Sequence, residues 1–245
     1  MQGAAAYAAP CALPYLEIHL KNAFALSALA ACCLPQLANA ETPNGYYATA
    51  RIIDADHRAN NMDASARPGI GRFVAGDEHQ RFVTGAIGFG HAHGNGWRTE
   101  GEYTLRRNDT YTSGSSLFAT SFNNHEVSSQ RLMLNAYRDF AINDAWSVYG
   151  SSGAGLAQLK SGGWQGNTSR RYDTTTRTGL AWSVGAGVSV AASDRMTVDL
   201  GYRYVDMGTT ESGWNTFGNA RGLQDEKMRL DLTSSEFHLG ARLAF

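Results

Sequence analysis

Phe237-His238-Leu239-Gly240-Ala241-Arg242-Leu243-Ala244-Phe245 ends the 245-residue chain, and apolar residues fall at every second position from Phe237 to Phe245. The other face carries Glu236, His238, Gly240 and Arg242. A period of two marks a strand whose two faces meet different media. The pattern recurs upstream. Leu180, Trp182, Val184, Ala186, Val188 and Val190 oppose Ala181, Ser183, Gly185, Gly187 and Ser189. Met196, Val198, Leu200, Tyr202 and Tyr204 oppose Thr197, Asp199, Gly201, Arg203 and Val205. Trp97, Thr99, Gly101, Tyr103 and Leu105 oppose Arg98, Glu100, Glu102, Thr104 and Arg106. Weaker alternation marks four more strands, at 45–54, 81–90, 130–140 and 146–159, the last too rich in Gly and Ser to show its facing.

Such strands run about ten residues, which suits a tilted crossing of a bilayer. Soluble strands more often stop at about five or six. The connections sort the same way. Long polar segments fall at 55–80, 107–129, 160–178 and 206–233, and short ones at 91–96, 141–145 and 191–194, in strict alternation. Long loops on the outer side and short periplasmic turns are the habit of an outer-membrane barrel. The expected fold is all-β: an eight-stranded antiparallel transmembrane up-and-down barrel with four long extracellular loops and three short turns. Trp97 and Phe245 then fall at the periplasmic interface, and Tyr103, Trp182, Tyr202, Tyr204 and Phe237 at the outer one. Amphipathic rings favour both levels. No apolar run of helical membrane-spanning length follows residue 41. The mean hydropathy of −0.33 does not argue against a membrane barrel, because only alternate residues meet lipid.

An eight-stranded barrel is filled by its own side chains, and charges inside it must pair. The inward set is Arg51, Arg98, Glu100, Glu102, Arg131, Asp199, Arg203, Glu236, His238 and Arg242. Counting from the periplasmic end sets Asp199 level with Arg242, and Arg203 level with His238, one position below Glu236. Glu100 and Glu102 are left to Arg51, Arg98 or Arg131. Such a network holds the barrel together; the alternative is a narrow gated ion path.

Residues 1–40 read as an export signal. Lys21 precedes an apolar run at 23–34, and Ala38-Asn39-Ala40 fits the cleavage pattern, so residues 41–245 form the expected barrel. The stretch before Leu20, with Glu17 and two prolines, fits a signal poorly and suggests a true start near Leu20. Leu29-Ala30-Ala31-Cys32 offers the other processing route, lipidation at Cys32. Cys11, Cys32 and Cys33 all precede residue 41, which leaves the expected mature chain no disulfide or thiol chemistry. Four of the five prolines also precede residue 45, sparing the strands. A net charge of −1 gives no reason to expect a nucleic-acid partner.

With the strands placed, the chain resembles the small eight-stranded surface barrels of the opacity-protein and OmpA-like β-barrel type. The likeness rests on Leu134-Asn135-Ala136-Tyr137, Trp182 to Val188, Val198 to Tyr204 and the closing strand. It covers the strands and omits the four loops. The resemblance implies that Phe237, Leu239, Ala241, Leu243 and Phe245 form the signal read by the barrel-assembly machinery, with periplasmic chaperones as earlier partners. It also implies a structural surface protein, adhesin or immune-evasion factor, embedded in outer-membrane lipid and lipopolysaccharide.

Nothing in the sequence asks for a cofactor. Gly153-Ala154-Gly155 and Gly185-Ala186-Gly187 precede no helix and are not nucleotide loops. His91 and His93 have metal-pair spacing but no Cys or carboxylate nearby in sequence. His125, Glu126, Ser128 and Ser129 are the best set for the enzyme alternative, a lipid A-modifying hydrolase. Lys160, Arg170, Arg171 and Arg177, with Trp164 and Tyr172, form a candidate binding patch for lipopolysaccharide phosphates or a sulfated ligand on a host surface.

Overall fold

The computed structural model describes residues 44–64 and 73–245. The expected export signal, its cleavage point after Ala40 and Cys32 lie outside the described residues. The strands are β1 (Asn44–Ala64), β2 (Phe73–Ala75), β3 (His79–His93), β4 (Trp97–Ser115), β5 (Phe118–Ala141), β6 (Trp146–Gln165), β7 (Arg171–Ala191), β8 (Met196–Glu211) and β9 (Met228–Ala244). All except β2 form the barrel. Each pairs antiparallel with its neighbour along the chain, and β9 returns to β1, so the sheet closes. The short β2 adds only to the top of β4, at Ser113 to Ser115.

The outward faces carry the apolar alternation. Ile52, Ile87, Leu134, Leu156, Leu180, Leu200 and Leu239 are all more than half exposed. This band stops at one level around the ring. The next outward residue is Asp54 after Ile52, Arg81 after Val83, Gln130 after Leu132, Gln158 after Leu156, Asp206 after Tyr204 and Ser235 after Phe237. Below it, Tyr46 stacks on Phe89 with centroids 5.7 Å apart, and Phe89 meets Phe245 at 6.0 Å. Near the upper limit Trp182 meets Tyr204, and Tyr202 meets Phe237.

Two of the four long connections are not coils, whereas residues 212–227 of the last are largely irregular. The polar stretches at 107–129 and 160–178 are mostly strand, with tight turns near 116–117 and 166–170. Strands therefore reach 15 to 24 residues, far beyond the crossing length. In sequence these stretches resemble loops because water wets their outer face and the inner face mixes Ser, Thr, His and Asn with the apolar groups.

Two bulges reshape the barrel above the apolar band. The β3–β4 ladder ends at Ala86 and Thr104, where β4 shifts register against β5 between Thr104 and Arg107. The β7–β8 ladder ends at Trp182 and Asp206, where β8 shifts against β9 between Asp206 and Thr209. Gly208 takes φ +77° there, and its N–H donates to Asp206 Oδ1 at 2.8 Å. An extra residue in one strand bends it from its neighbour. The two breaks lie on opposite sides of the ring. Past them the wall divides into two four-stranded sheets, β4-β5-β6-β7 and β3-β1-β9-β8. Ala59, Met62, Tyr111, Val127, Leu159, Met207, Leu230 and Leu232 form a buried apolar cluster between these sheets. The extracellular part is thus a small sandwich on a membrane barrel. The β4 bulge also turns Arg106 outward, where it donates to Gln130 and Gln158 at 3.1 and 3.3 Å, against the alternation read from sequence.

Within the barrel, glycines on β7 and β8 make room for Tyr149. A Cβ on Gly187 or Gly201 would collide with its ring or hydroxyl. Gly201→Ala should lower stability by about 1–3 kcal/mol, read from urea titration of the heat-modifiable folded band. A double-mutant cycle with Tyr149→Ala should recover most of that loss.

Candidate functional site

Six buried side chains make one alternating chain across the lumen. Arg51 Nη1 donates to Glu100 Oε1 at 2.5 Å and to Glu102 Oε2 at 2.6 Å. Arg203 Nη1 donates to Glu102 Oε1 at 2.7 Å, and its Nε to Glu236 Oε2 at 2.6 Å. Glu236 also accepts from Arg131 Nη2 at 2.7 Å. Toward the periplasm Arg98 pairs with Asp139 at 2.8 Å and lies 4.0 Å over the Tyr137 ring. Asp199 accepts from Arg242 at 3.2 Å and from the Ser189 hydroxyl at 2.6 Å. Five guanidiniums thus meet five carboxylates.

The level-by-level count gives Asp199 with Arg242 but misplaces others. Arg203 stands opposite Glu236 in register, while His238 stands opposite Gly201 and shares a 3.0 Å hydrogen bond with Tyr149. Glu100 and Glu102 draw on Arg51, with Arg203 as the second cation on Glu102; Arg98 and Arg131 serve other acids. Barrel stagger moves levels that counting treats as flat. Asp139 escapes the sequence reading, although it continues the inward alternation of Arg131, Met133, Asn135 and Tyr137.

On the extracellular side the inward residues turn apolar. Val205 and Met207 follow Arg203, Leu232 and Leu230 lie beyond Glu236, and Val127 lies beyond Arg131, all in one buried cluster. The lumen is closed by paired charge and then by an apolar layer. Two polar pairs are set into the head: His57 with Asp109 at 3.0 Å, and Ser113 with His125 at 2.8 Å. Burial pushes the His125 imidazole down to about 4. The hydrolase set does not converge. His125 and Ser129 turn inward and are buried, while Glu126 turns outward and holds Arg171 at 2.8 Å. His91 and His93 face each other across 3.3 Å; no group of three or more His, Cys, Asp or Glu suited to a metal occurs among the described residues.

Phe237, Leu239, Ala241, Leu243 and Phe245 all lie on the exposed face of the closing strand, which pairs with β1 and β8. The cationic patch is less continuous than its sequence suggests. Lys160, Trp164 and Arg171 share the outer face of the β6–β7 hairpin, where Arg171 lies 5.7 Å over Trp164 and is neutralised by Glu126. Arg170 stacks on Phe217 at 4.1 Å and donates to Gln165. Arg177 pairs in register with buried Leu159, so it sits on the other face.

A closed antiparallel barrel with an apolar outer band, aromatic girdles and a charge-paired lumen defines an outer-membrane protein, seated in lipid and lipopolysaccharide. The chain belongs to the family of the outer membrane protein beta-barrel domain, whose model matches residues 24–245. It is 27% identical over 128 residues to "Outer membrane protein PagN" of Salmonella typhimurium, covering 49% of this chain and 52% of that protein. It is 32% identical over 101 residues to a Rickettsia bellii protein named "Putative adhesin", covering 38% and 44%. The chain spans about half the length of the curated relatives it matches. The OprG barrel of Pseudomonas aeruginosa shares the fold, with a TM-score of 0.52 at 10% identity over 82% of this chain and 97% of that one.

Glu102→Gln leaves Arg51 and Arg203 without a shared anion, and should cost about 3–5 kcal/mol of barrel stability in urea titration. The unmodified protein should stay silent in planar-bilayer conductance. Folded His125 stays neutral, whereas an unfolded His titrates near 6.5. Stability of the head is therefore full above about pH 6.5 and falls as pH drops toward 4. Hydrogen exchange at the β4–β5 tip, corrected for intrinsic rate, should quicken from pH 7 to 5 in the parent and not in His125→Gln.

Proposed function

We propose that this is a non-enzymatic surface protein of the adhesin or immune-evasion type, in which the membrane barrel is the anchor and the extracellular sandwich makes the contacts. The observation that carries this reading is the head itself. Strands continue well past the apolar band and enclose their own core, which a protein serving only to fill the membrane does not need. The closed lumen agrees with contact rather than transport, and the adhesin names among the relatives point the same way. Cleavage after Ala40 would follow export, and the outward face of β9 would be the strand that the assembly machinery reads. An unpaired edge that must find β1 before closure gives that recognition a physical purpose.

Among the candidate cations, Lys160 and Arg177 have no ion-pair partner among the described residues, while Arg171 is already engaged. A sulfated or phosphorylated ligand would therefore lean on Lys160 at one face of the hairpin or on Arg177 at the other. Trimming the β4–β5 and β6–β7 hairpins above the apolar band should abolish host-cell adhesion or serum survival and leave the folded barrel in the membrane. Unchanged adhesion and serum survival after both deletions would refute the reading. Retention on heparin beads should fall more with Lys160→Ala and Arg177→Ala together than with Arg171→Ala, whose loss also frees Glu126.

A further inference from the structure

Splitting a barrel into two sheets leaves four strand edges, and the molecule treats them unequally. At the β3–β4 break the edges are guarded. The Gln80 side chain donates to the Thr110 carbonyl at 3.0 Å. Phe82 is buried, and Arg107 lies 4.5 Å over its ring while its Nε donates to Asp109 at 3.2 Å. Higher up, Gly76 and Thr112 exchange backbone bonds with their opposite strand.

The β7 edge has no such cover. Its ladder with β8 stops at Trp182, and the next backbone bonds on that side are those of Asp173 with Gly213 and Trp214. Residues 175–181 between these points pair with β6 alone among the described residues; a bulge lies just above them at Thr174, and β8 comes close again at their lower end, where a Cβ on Gly208 would lie 3.5 Å from the Leu180 carbonyl oxygen. Thr174, Thr175, Thr176, Arg177 and Thr178 are exposed on both faces. A strand held between two neighbours buries alternate side chains, as β6 does with Leu159 and Ser161 directly opposite. An added Cβ on Gly179 would meet nothing within 4 Å. The open edge, residues 175–179, is about 17 Å long at ~3.3 Å per residue. Every second residue along it directs both N–H and C=O outward. Thr is a strong strand former, and edges are ordinarily blunted by Lys, Pro or a bulge; the bulge of β7 lies above Thr175, outside the open run. Here Arg177 is the one charge on residues 175–179.

We propose that residues 175–179 of β7 accept an extended segment of a partner polypeptide as an added strand, with an acidic residue beside Arg177. Main-chain pairing supplies the attachment, and alternate side chains supply the choice. A carboxylate is favoured next to Arg177 because that guanidinium has no ion-pair partner among the described residues. A second copy of this chain fits less well. Two copies in one membrane would present β7 at equal height and bring Arg177 against Arg177, a destabilising like-charge pair. The inference depends on the surface-contact reading only for where the partner comes from.

Hydrogen exchange on the full protein in lipid nanodiscs tests this with the heptapeptide Thr-Val-Thr-Glu-Thr-Val-Thr. In dilute free protein, the edge-facing amides of residues 175–179 should exchange fast. Saturating peptide should slow them. Arg177→Glu should weaken this peptide about five- to tenfold and favour the version with Lys in place of Glu. Slow exchange along the whole edge without peptide overturns the proposal, as does peptide binding that ignores both charge reversals. Protection that grows with protein concentration alone assigns the edge to a second copy and also overturns it. Because no host cell enters this assay, lost adhesion with intact peptide protection would sink the surface reading and leave the edge proposal standing.

Discussion

The structure depends on the seam between its first and last barrel strands. Hydrocarbon offers no partner to a backbone N–H or C=O, so a sheet survives in lipid only when closed. Here β1 meets β9 from Tyr47 against Ala244 up to Asn60 against Asp231 before their register shifts. Closure at eight strands sets an interior that side chains fill. It also fixes which face of every strand is apolar. The lumen charges follow from the same constraint. With little water to hold them, each needs an opposite charge, and Glu102 answers two arginines on two different strands. Such a network is weak evidence of stability for its own sake, since desolvation offsets much of the attraction. It is, however, intolerant of losing any single member.

The constraint lapses above the apolar band, where water can satisfy a strand edge. That is the level at which the two bulges occur. Once β4 and β8 bend away from β3 and β7, two sheets can approach closely enough to bury Tyr111, Leu159, Met207 and Leu230 between them. The head is therefore stabilised as a soluble sandwich is, by apolar contact between sheet faces, while the part below relies on closure and ion pairs. One continuous set of strands passes from one regime to the other.

This division decides how much was legible in the sequence. Inside the bilayer, lipid demands apolar residues on one face and the lumen tolerates polar ones on the other, so alternation in Leu180 to Val190 or Phe237 to Phe245 names the strand and its facing. In the head both faces read as polar. Asn123, His125 and Ser129 point inward, and Asn124, Glu126 and Ser128 outward, so the strand hides in plain composition. Arg106 reverses its face because a bulge adds one residue, which no period reveals. The link between Glu102 and Arg203 spans 101 residues and arises only from closure and stagger.

The cationic hairpin shows why charge read from sequence overstates a binding surface. Four cations and a tryptophan within eighteen residues suggest one patch, yet a single carboxylate from the adjoining strand, Glu126, removes Arg171 from it, and stacking on Phe217 occupies Arg170. A strand then separates the remaining two, since Lys160 lies opposite Thr176 and Arg177 opposite Leu159 on the other face. Exposed single cations contribute little on their own. What the hairpin presents without interruption is backbone along one threonine-rich strand. Recognition by main chain does not need clustered charge, and it asks only that the strand be held straight, wet and unpaired. The membrane barrel beneath supplies that support, because β7 is fixed below by the ladder to β8 at Trp182 and above by the bonds of Asp173 to Gly213 and Trp214.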